Sequence, residues 1–104
     1  MVIDERTYTL KPGKVATYMA LYEEKGLGPQ SRHLGDPVGW FTTDIGTLNQ
    51  IVHMWGFEDL VDRATRREAM WKDEEWLAFA DQAIALIVRM ENRILLPAPF
   101  SPIR

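Results

Sequence analysis

The sequence predicts an α+β fold in which helices cover one face of an antiparallel, four-stranded sheet. The hydrophobic periodicity along the chain predicts the elements in the order strand, helix, strand, strand, helical pair and strand. Residues 38–57, VGWFTTDIGTLNQIVHMWGF, have the strand-forming residues and the central turn of a β-hairpin. Both faces of this hairpin are apolar, although a sheet with one wet face should alternate between apolar and polar residues. Both faces of the sheet are therefore expected to be covered.

A first strand is predicted over residues 2–10, which alternate between two faces. Its charged residues, Glu5 and Arg6, are expected to pair with neighbouring strands. Lys11-Pro12-Gly13-Lys14 ends the strand ahead of a helix, because proline is favourable near a helix start. The inward stripe of that helix is predicted to consist of Val15, Tyr18, Met19 and Tyr22.

Glycine and proline suggest where this helix ends. Gly26 is expected to cap it. Residues 27–37 are predicted to form a loop that contains an exposed His33. The hairpin is then predicted to turn over three or four residues at Asp44-Ile45-Gly46-Thr47, with Gly46 in the left-handed conformation.

The second strand of the hairpin indicates an oligomer. Its two faces consist of Asn49, Ile51, His53, Trp55 and Phe57 on one side and of Leu48, Gln50, Val52, Met54 and Gly56 on the other. Both sets are largely apolar, and a chain of 104 residues can supply helices for one face only. The sequence therefore predicts a homodimer joined through the sheet face, with a second copy as the other cover.

Two further helices are predicted between the hairpin and the last strand. The first covers residues 58–72, with Asp59 as N-cap and Asp62 as a weak capping-box partner. Its inward stripe is expected to consist of Leu60, Val61, Ala64, Glu68 and Trp71. The next helix begins at Asp73, and its apolar stripe consists of Trp76, Phe79, Ala80, Ala83, Ile84 and Ile87.

Three arginines on the first of these helices resemble an anion site. Aspartates stand four residues before Arg63 and Arg66, the favourable order for helical ion pairs, so a solvated, ion-paired face is the simpler interpretation. Arg67 has no such partner and remains a candidate for contact with a ligand.

A last strand is predicted over residues 88–96, which completes the ferredoxin-like order βαββαβ in a single domain, 1–104. Three prolines prevent further ladder pairing in residues 97–104, a Pro-rich extended tail. Phe100 is expected to anchor this tail, either on its own chain or on a partner's.

Composition excludes several classes of function. A net charge of −3 argues against nucleic acid as a partner, and no apolar stretch is long enough for a membrane span. There are no cysteines and only two histidines, twenty residues apart, so no metal site and no cofactor are expected. With no charged-then-apolar leader, the chain is read as a soluble, cytoplasmic protein.

The chain resembles the NIPSNAP family over nearly all of its length. The segments that carry the resemblance are DERTYTL followed by Pro12-Gly13, GWFTTDIG with Leu48-Asn49-Gln50, His53-Met54-Trp55, Asp62-Arg63, Glu75-Trp76 and Pro99-Phe100-Ser101-Pro102. Their order and spacing, rather than any single segment, are specific. The resemblance implies a dimeric α+β barrel, in which two ferredoxin-like sheets close face to face with the helices outside. It supplies no agreed catalytic residues.

The resemblance also implies that a site would lie between the sheet and the helices of one protomer. Aromatic and polar candidates there are Tyr8, Tyr18, Tyr22, Trp40, Asn49, His53, Trp55 and Arg67, with Arg63 and Trp71 as further possibilities. By spacing alone, Asn49, His53 and Trp55 form the best cluster. His53 could act as a general base, or it could be a core histidine held by a neighbouring group such as Glu5.

Two functions compete on the residues and the resemblance together, and a third, an interaction module that uses the Pro-rich tail, has less support. The protein is either a dimeric binder of a small, mostly apolar or aromatic molecule, or a cofactor-independent monooxygenase or isomerase of an aromatic, polyketide-like substrate. A ligand-sized cavity holding His53 with an unpaired ring nitrogen would favour the enzyme. A fully bonded His53 without a cavity would count against both functions.

Overall fold

Four strands form one antiparallel sheet in the order β2-β3-β1-β4, as the predicted fold class requires. The computed structural model describes residues 1–104. Its elements are β1 (Val2–Leu10), α1 (Val15–Leu21), a π-helical segment (Tyr22–Gly26), α2 (Leu27–Leu34), β2 (Gly39–Thr42), β3 (Gln50–Phe57), α3 (Leu60–Met70), α4 (Glu74–Ala83), a 3₁₀ turn (Ile84–Leu86) and β4 (Ile87–Leu95). The prediction of an α+β, ferredoxin-like fold is confirmed.

The helices cover one face of the sheet, here called the inner face. Ile51, His53, Trp55 and Phe57 of β3 are buried on it, as the alternation of the strand predicted. Arg6 of β1 lies opposite His53, and Tyr8 lies opposite Ile51. The alternate residues of β3 belong to the outer face and are only half-buried. The helices of this chain therefore leave the outer face without a cover.

The first helix runs further than its glycine and proline content predicted. The chain stays helical through the π-helical segment and α2, so the loop prediction for residues 27–37 is wrong as far as Leu34. Pro29 lies in the first turn of α2, where its missing N–H is tolerated. Gly26 does not end the helix, which continues into α2, but it lets the helix approach α4, since an added Cβ would lie 2.9 Å from the ring of Phe79.

His33 is not an exposed loop residue. It lies in α2, is half-buried, and its Nε2 atom is 2.8 Å from the Asp73 carboxylate. Asp73 is also the N-cap of α4 and accepts a hydrogen bond from the amide of Glu75. This one carboxylate therefore joins the start of α4 to the last turn of α2.

The hairpin loop is longer than predicted, because β2 ends at Thr42 and β3 begins only at Gln50. Gly46 has the expected positive φ, +130°. Asn49 also has a positive φ, +62°, which is uncommon for a residue other than glycine. The loop thus needs two left-handed positions, and Asn49 belongs to it rather than to the strand.

Helix α3 faces the sheet with a different side from the one predicted. Asp59 caps it as expected, but Leu60, Val61 and Trp71 are exposed by 55%, 74% and 46%. Arg63 and Arg67 take the half-buried positions, and Met70 is fully buried. The predicted stripe is therefore wrong, because the arginines, not the aliphatic residues, face the sheet.

The end of the chain largely follows the prediction. Helix α4 buries Trp76, Phe79 and Ala83, although Ile84 is exposed. Strand β4 begins one residue earlier than expected, and its Arg93 pairs with Glu5 across the strands at 2.8 Å. Phe100 is 89% exposed, so it does not anchor the tail on its own chain.

Candidate functional site

A cavity of about 510 Å³ lies between the inner face of the sheet and the helices. Eleven of its sixteen lining residues are hydrophobic. The lining consists of Arg6, Tyr8, Tyr18, Gln30, His53, Arg67, Trp71, Trp76, Leu77, Phe79, Ala80, Asp81, Ala83, Ile84, Ile87 and Met90. Both its size and its apolar lining are those of small-molecule sites.

The structure brings part of the predicted set together in this cavity. Of the ten candidates, those that line it are Tyr8, Tyr18, His53, Arg67 and Trp71. Asn49 lies apart in the hairpin loop, where its side chain accepts a hydrogen bond from the amide of Gly13 at 3.4 Å. The predicted cluster of Asn49, His53 and Trp55 therefore does not form.

Two aromatic candidates pack behind the cavity wall. The Trp40 ring stacks on His53 with centroids 4.9 Å apart and planes at 10°. The hydroxyl of Tyr22 donates to Oε1 of Gln30 at 2.5 Å, and burial raises the pKa of this hydroxyl. These residues hold the histidine and the first helix in place.

Sequence reasoning missed Arg6 and the α4 side of the cavity. Alternation along β1 puts Arg6 on the same face as Tyr8, but its position opposite His53 depends on the register between strands. Helical spacing predicts that Trp76 and Phe79 face inward, but it cannot distinguish a residue packed in the core from one that lines a cavity, as both do here.

Trp55 fixes the tautomer of His53. The indole nitrogen Nε1 of Trp55 lies 2.6 Å from Nδ1 of His53, and an indole N–H can only donate a hydrogen bond. Nδ1 must therefore accept, and the proton of the neutral ring must sit on Nε2. Nε2 is buried and has no hydrogen-bond partner in the protein. His53, which lines the cavity, thus has one buried and unpaired N–H donor.

The surroundings keep His53 uncharged. Burial and the positive charge of Arg6 lower the pKa of His53 to about 3, although Asp4 acts in the opposite direction. Glu5 plays no part, since it lies on the outer face and pairs with Arg93. Because the unpaired nitrogen already carries the proton, His53 is arranged to donate a hydrogen bond rather than to act as a general base.

A buried carboxylate organises the polar end of the site. Asp4 is 1% exposed, and its Oδ2 lies 2.9 Å from Nε of Arg63 and 3.2 Å from a terminal nitrogen of Arg6. Asn92 donates to its other oxygen at 3.1 Å. Burial alone would raise the pKa of Asp4, but these donors and charges hold it below its usual value. Arg63 is therefore a structural partner of Asp4 and does not pair with Asp59.

Arg67 lies one helical turn beyond Arg63 and lines the cavity. It takes part in none of the ion pairs of the molecule. Burial, with the neighbouring charges of Arg6 and Arg63, lowers the pKa of Arg67 from its ordinary value. By contrast, Arg66 forms the predicted pair with Asp62 at 2.9 Å on the solvent side of α3.

Two further properties bear on the kind of site. No three His, Asp or Glu side chains come close enough together to hold a metal ion. Nor is any helix both long and apolar enough to cross a lipid bilayer.

Solved structures with the same architecture define the class. A NIPSNAP family protein from Agrobacterium tumefaciens, 46% identical, superimposes with a TM-score of 0.96 over 99% of this chain and 98% of that one. A putative antibiotic biosynthesis monooxygenase from Nitrosomonas europaea gives a TM-score of 0.69 at 11% identity, over 93% of this chain and 98% of that one. The second likeness concerns the fold alone. The class is an α+β domain with the ferredoxin-like fold.

The chain belongs to the NIPSNAP family, whose model matches residues 3–102. Protein NipSnap homolog 2 of Danio rerio is 32% identical over 103 residues, which are 99% of this chain and 35% of that protein. The chain thus spans about a third of the length of such curated relatives. The resemblance inferred from the sequence motifs is confirmed.

Proposed function

We propose that this NIPSNAP protein binds a small, mostly apolar or aromatic molecule in the cavity between sheet and helices. The observation that carries the proposal is the cavity itself, about 510 Å³ with a mainly hydrophobic lining. Concave sites of this size with a mainly apolar lining are typical of small-molecule binding. Trp76 and Phe79 of α4 offer flat surfaces against which a ring system would pack.

The protein is further proposed to work as a homodimer joined through the outer face of the sheet. Val52 and Met54 of β3 are half-buried there, and Phe41 of the neighbouring β2 is 53% exposed. Phe41 and Val52 are direct neighbours in the β2–β3 register, so they form one apolar patch. An isologous contact between two copies would remove this patch from water.

A thermal-shift screen tests the ligand proposal. The purified protein is heated with quinols, polyketides and haem, and a bound compound raises the melting temperature. The control variant is Ala80→Trp, which puts an indole into the cavity from α4. The proposal expects at least one compound to stabilise the natural protein and not the variant. Equal shifts in both proteins would place binding elsewhere and contradict the proposal.

A second candidate function is a cofactor-independent monooxygenase or isomerase that uses the same cavity. The unpaired Nε2–H of His53 favours it, because such a donor can stabilise negative charge on an enol or phenol oxygen. Another group would have to remove the proton. Oxygen consumption or substrate isomerisation with a screened ligand, lost in His53→Ala, would support an enzyme. Binding without turnover would leave the simple binder.

A further inference from the structure

Two residues that line the cavity carry buried ring nitrogens without a hydrogen-bond partner. These residues are His53 and Trp76, and the atoms are Nε2 of His53 and Nε1 of Trp76. Both atoms are N–H donors, since the contact with Trp55 places the His53 proton on Nε2. A buried donor without an acceptor destabilises the folded protein. The cavity therefore favours a ligand that brings hydrogen-bond acceptors.

The charges near these donors are not balanced. Asp4 lies behind the cavity wall with Arg6 and Arg63 paired to it, and Arg67 adds a third guanidinium without a carboxylate. Three positive charges thus share one buried negative charge. Neutral Arg67 is not an alternative, because guanidinium groups stay protonated in proteins. Burial, and then repulsion from Arg6 and Arg63, lower the pKa of Arg67, and an anion beside this guanidinium would offset both effects.

Only one acidic residue lines the cavity. Asp81 of α4 contributes to the lining, but its side chain is exposed. A solvated carboxylate at the rim is screened by water and weakly affects a group bound inside. The inner wall therefore keeps an excess of positive charge.

We infer that the molecule bound in this cavity is an apolar anion, with an oxyanion such as a carboxylate held by Arg67 and His53 and a hydrocarbon body packed along Trp76 and Phe79. This inference rests on the proposed binding function and narrows its ligand class. Arg67 would supply a charge-assisted, bidentate contact, and His53 a neutral donor. An amine or another cation would be excluded by the same charges.

Two fluorescent probes with the same aromatic body test the inference. They are 8-anilinonaphthalene-1-sulfonate, an anion, and N-phenyl-1-naphthylamine, which lacks the sulfonate. Dissociation constants are measured by fluorescence for the natural protein and for Arg67→Gln, Arg66→Gln and Ala80→Trp. Arg66→Gln is the matched control, because it removes the same charge from the neighbouring position of α3, where Arg66 faces solvent and pairs with Asp62.

We expect the anionic probe to bind the natural protein at least about tenfold more tightly than the neutral probe, because its sulfonate gains a charge-assisted contact with Arg67. Arg67→Gln should remove this preference, whereas Arg66→Gln should keep it. Equal binding of the two probes, both blocked by Ala80→Trp, would overturn the anion inference and leave the cavity as a binding site. Failure of Ala80→Trp to weaken either probe would overturn the proposed function as well. If Arg66→Gln also loses the preference for the anionic probe, the preference arises from general surface charge and the inference is overturned.

A competition experiment covers the case in which Arg67→Gln does not fold. Decanoate and 1-decanol, which share a ten-carbon chain, each displace N-phenyl-1-naphthylamine from the natural protein. The inference expects decanoate to displace the probe at an at least about tenfold lower concentration. Displacement by the alcohol at the same or a lower concentration would overturn it.

Discussion

The indole N–H of Trp55 donates to Nδ1 of His53 over 2.6 Å, within one strand and two residues apart. This contact sets the tautomer of a histidine that is 2% exposed and places its single proton on Nε2, which has no partner in the protein. The alternation of β3 puts both rings on the same face, so a local sequence feature determines what the site offers to a ligand.

The lowered pKa of His53 predicts that this residue makes folding stability depend on pH. The unfolded chain protonates His53 as the pH falls below about 6.5, whereas the folded protein resists protonation until about pH 3. Stability is therefore lost as the pH falls through this window, by about 2 kcal/mol between pH 7 and pH 5. Urea unfolding at several pH values, compared with His53→Gln, measures the difference. Parallel pH profiles for the two proteins would show that His53 is not buried uncharged.

Replacing the carboxylate of Asp4 is expected to destabilise the fold. Asp4→Asn keeps the shape but leaves Arg6 and Arg63 facing each other without a counter-charge. The expected cost is about 3 kcal/mol, the scale for removing one partner of a buried ion pair. Asp36→Asn, at an exposed position, is the control and should change stability by less than about 0.5 kcal/mol. Equal effects of both substitutions in urea unfolding would refute the role of Asp4.

Two glycines near the helical junction should respond in opposite directions to alanine. At Gly26 a Cβ would lie 2.7 Å from the Tyr22 ring and 2.9 Å from Phe79, so Gly26→Ala should cost about 1–3 kcal/mol. At Gly28, in α2, nothing lies within 4 Å of the added carbon, so Gly28→Ala should stabilise by about 0.4–1 kcal/mol. Thermal melting of both variants measures the contrast. A neutral Gly26→Ala would mean that the helix does not approach α4 this closely.

The proposed dimer predicts that a charge on the outer face separates the subunits. Val52→Asp would place an unpaired carboxylate in the contact between the two sheets. Val61→Asp introduces the same change on α3, where Val61 is 74% exposed, and should leave assembly intact. Sedimentation velocity at micromolar concentration should show dimers for the natural protein and Val61→Asp, and monomers for Val52→Asp. A monomeric natural protein would contradict the proposal.

The parts of the fold that could be predicted from sequence are those that a strong period dictates. The alternation of β3 identified its buried face, and the stripe of Trp76, Phe79 and Ala83 identified the inward side of α4. In each element, reading the residues at the correct period places those that the structure buries on one face. Packing then follows from burial of apolar surface.

Long-range pairs explain what could not be predicted. The orientation of α3 depends on the contact of Arg63 with Asp4, fifty-nine positions away in the sequence. The predicted inward stripe contained Leu60 and Val61, which are exposed, because the sequence does not show this contact. The residues around Pro29 looked like a loop because composition does not show that the proline falls in a first turn. The alternation of β3 identified His53 as a candidate site residue. The cavity that His53 lines depends on the positions of α3 and α4, which the sequence does not show.

The most direct test of the central claim, that the cavity receives a ligand at the His53 N–H, is NMR of the histidine ring nitrogens at pH 7 with 9-fluorenone, an apolar and uncharged ketone. The account predicts one protonated nitrogen, Nε2, whose signal shifts when fluorenone is added to the natural protein and stays unchanged in Ala80→Trp. A doubly protonated His53 ring, or an Nε2 signal of His53 that does not shift at saturating fluorenone, would contradict this claim.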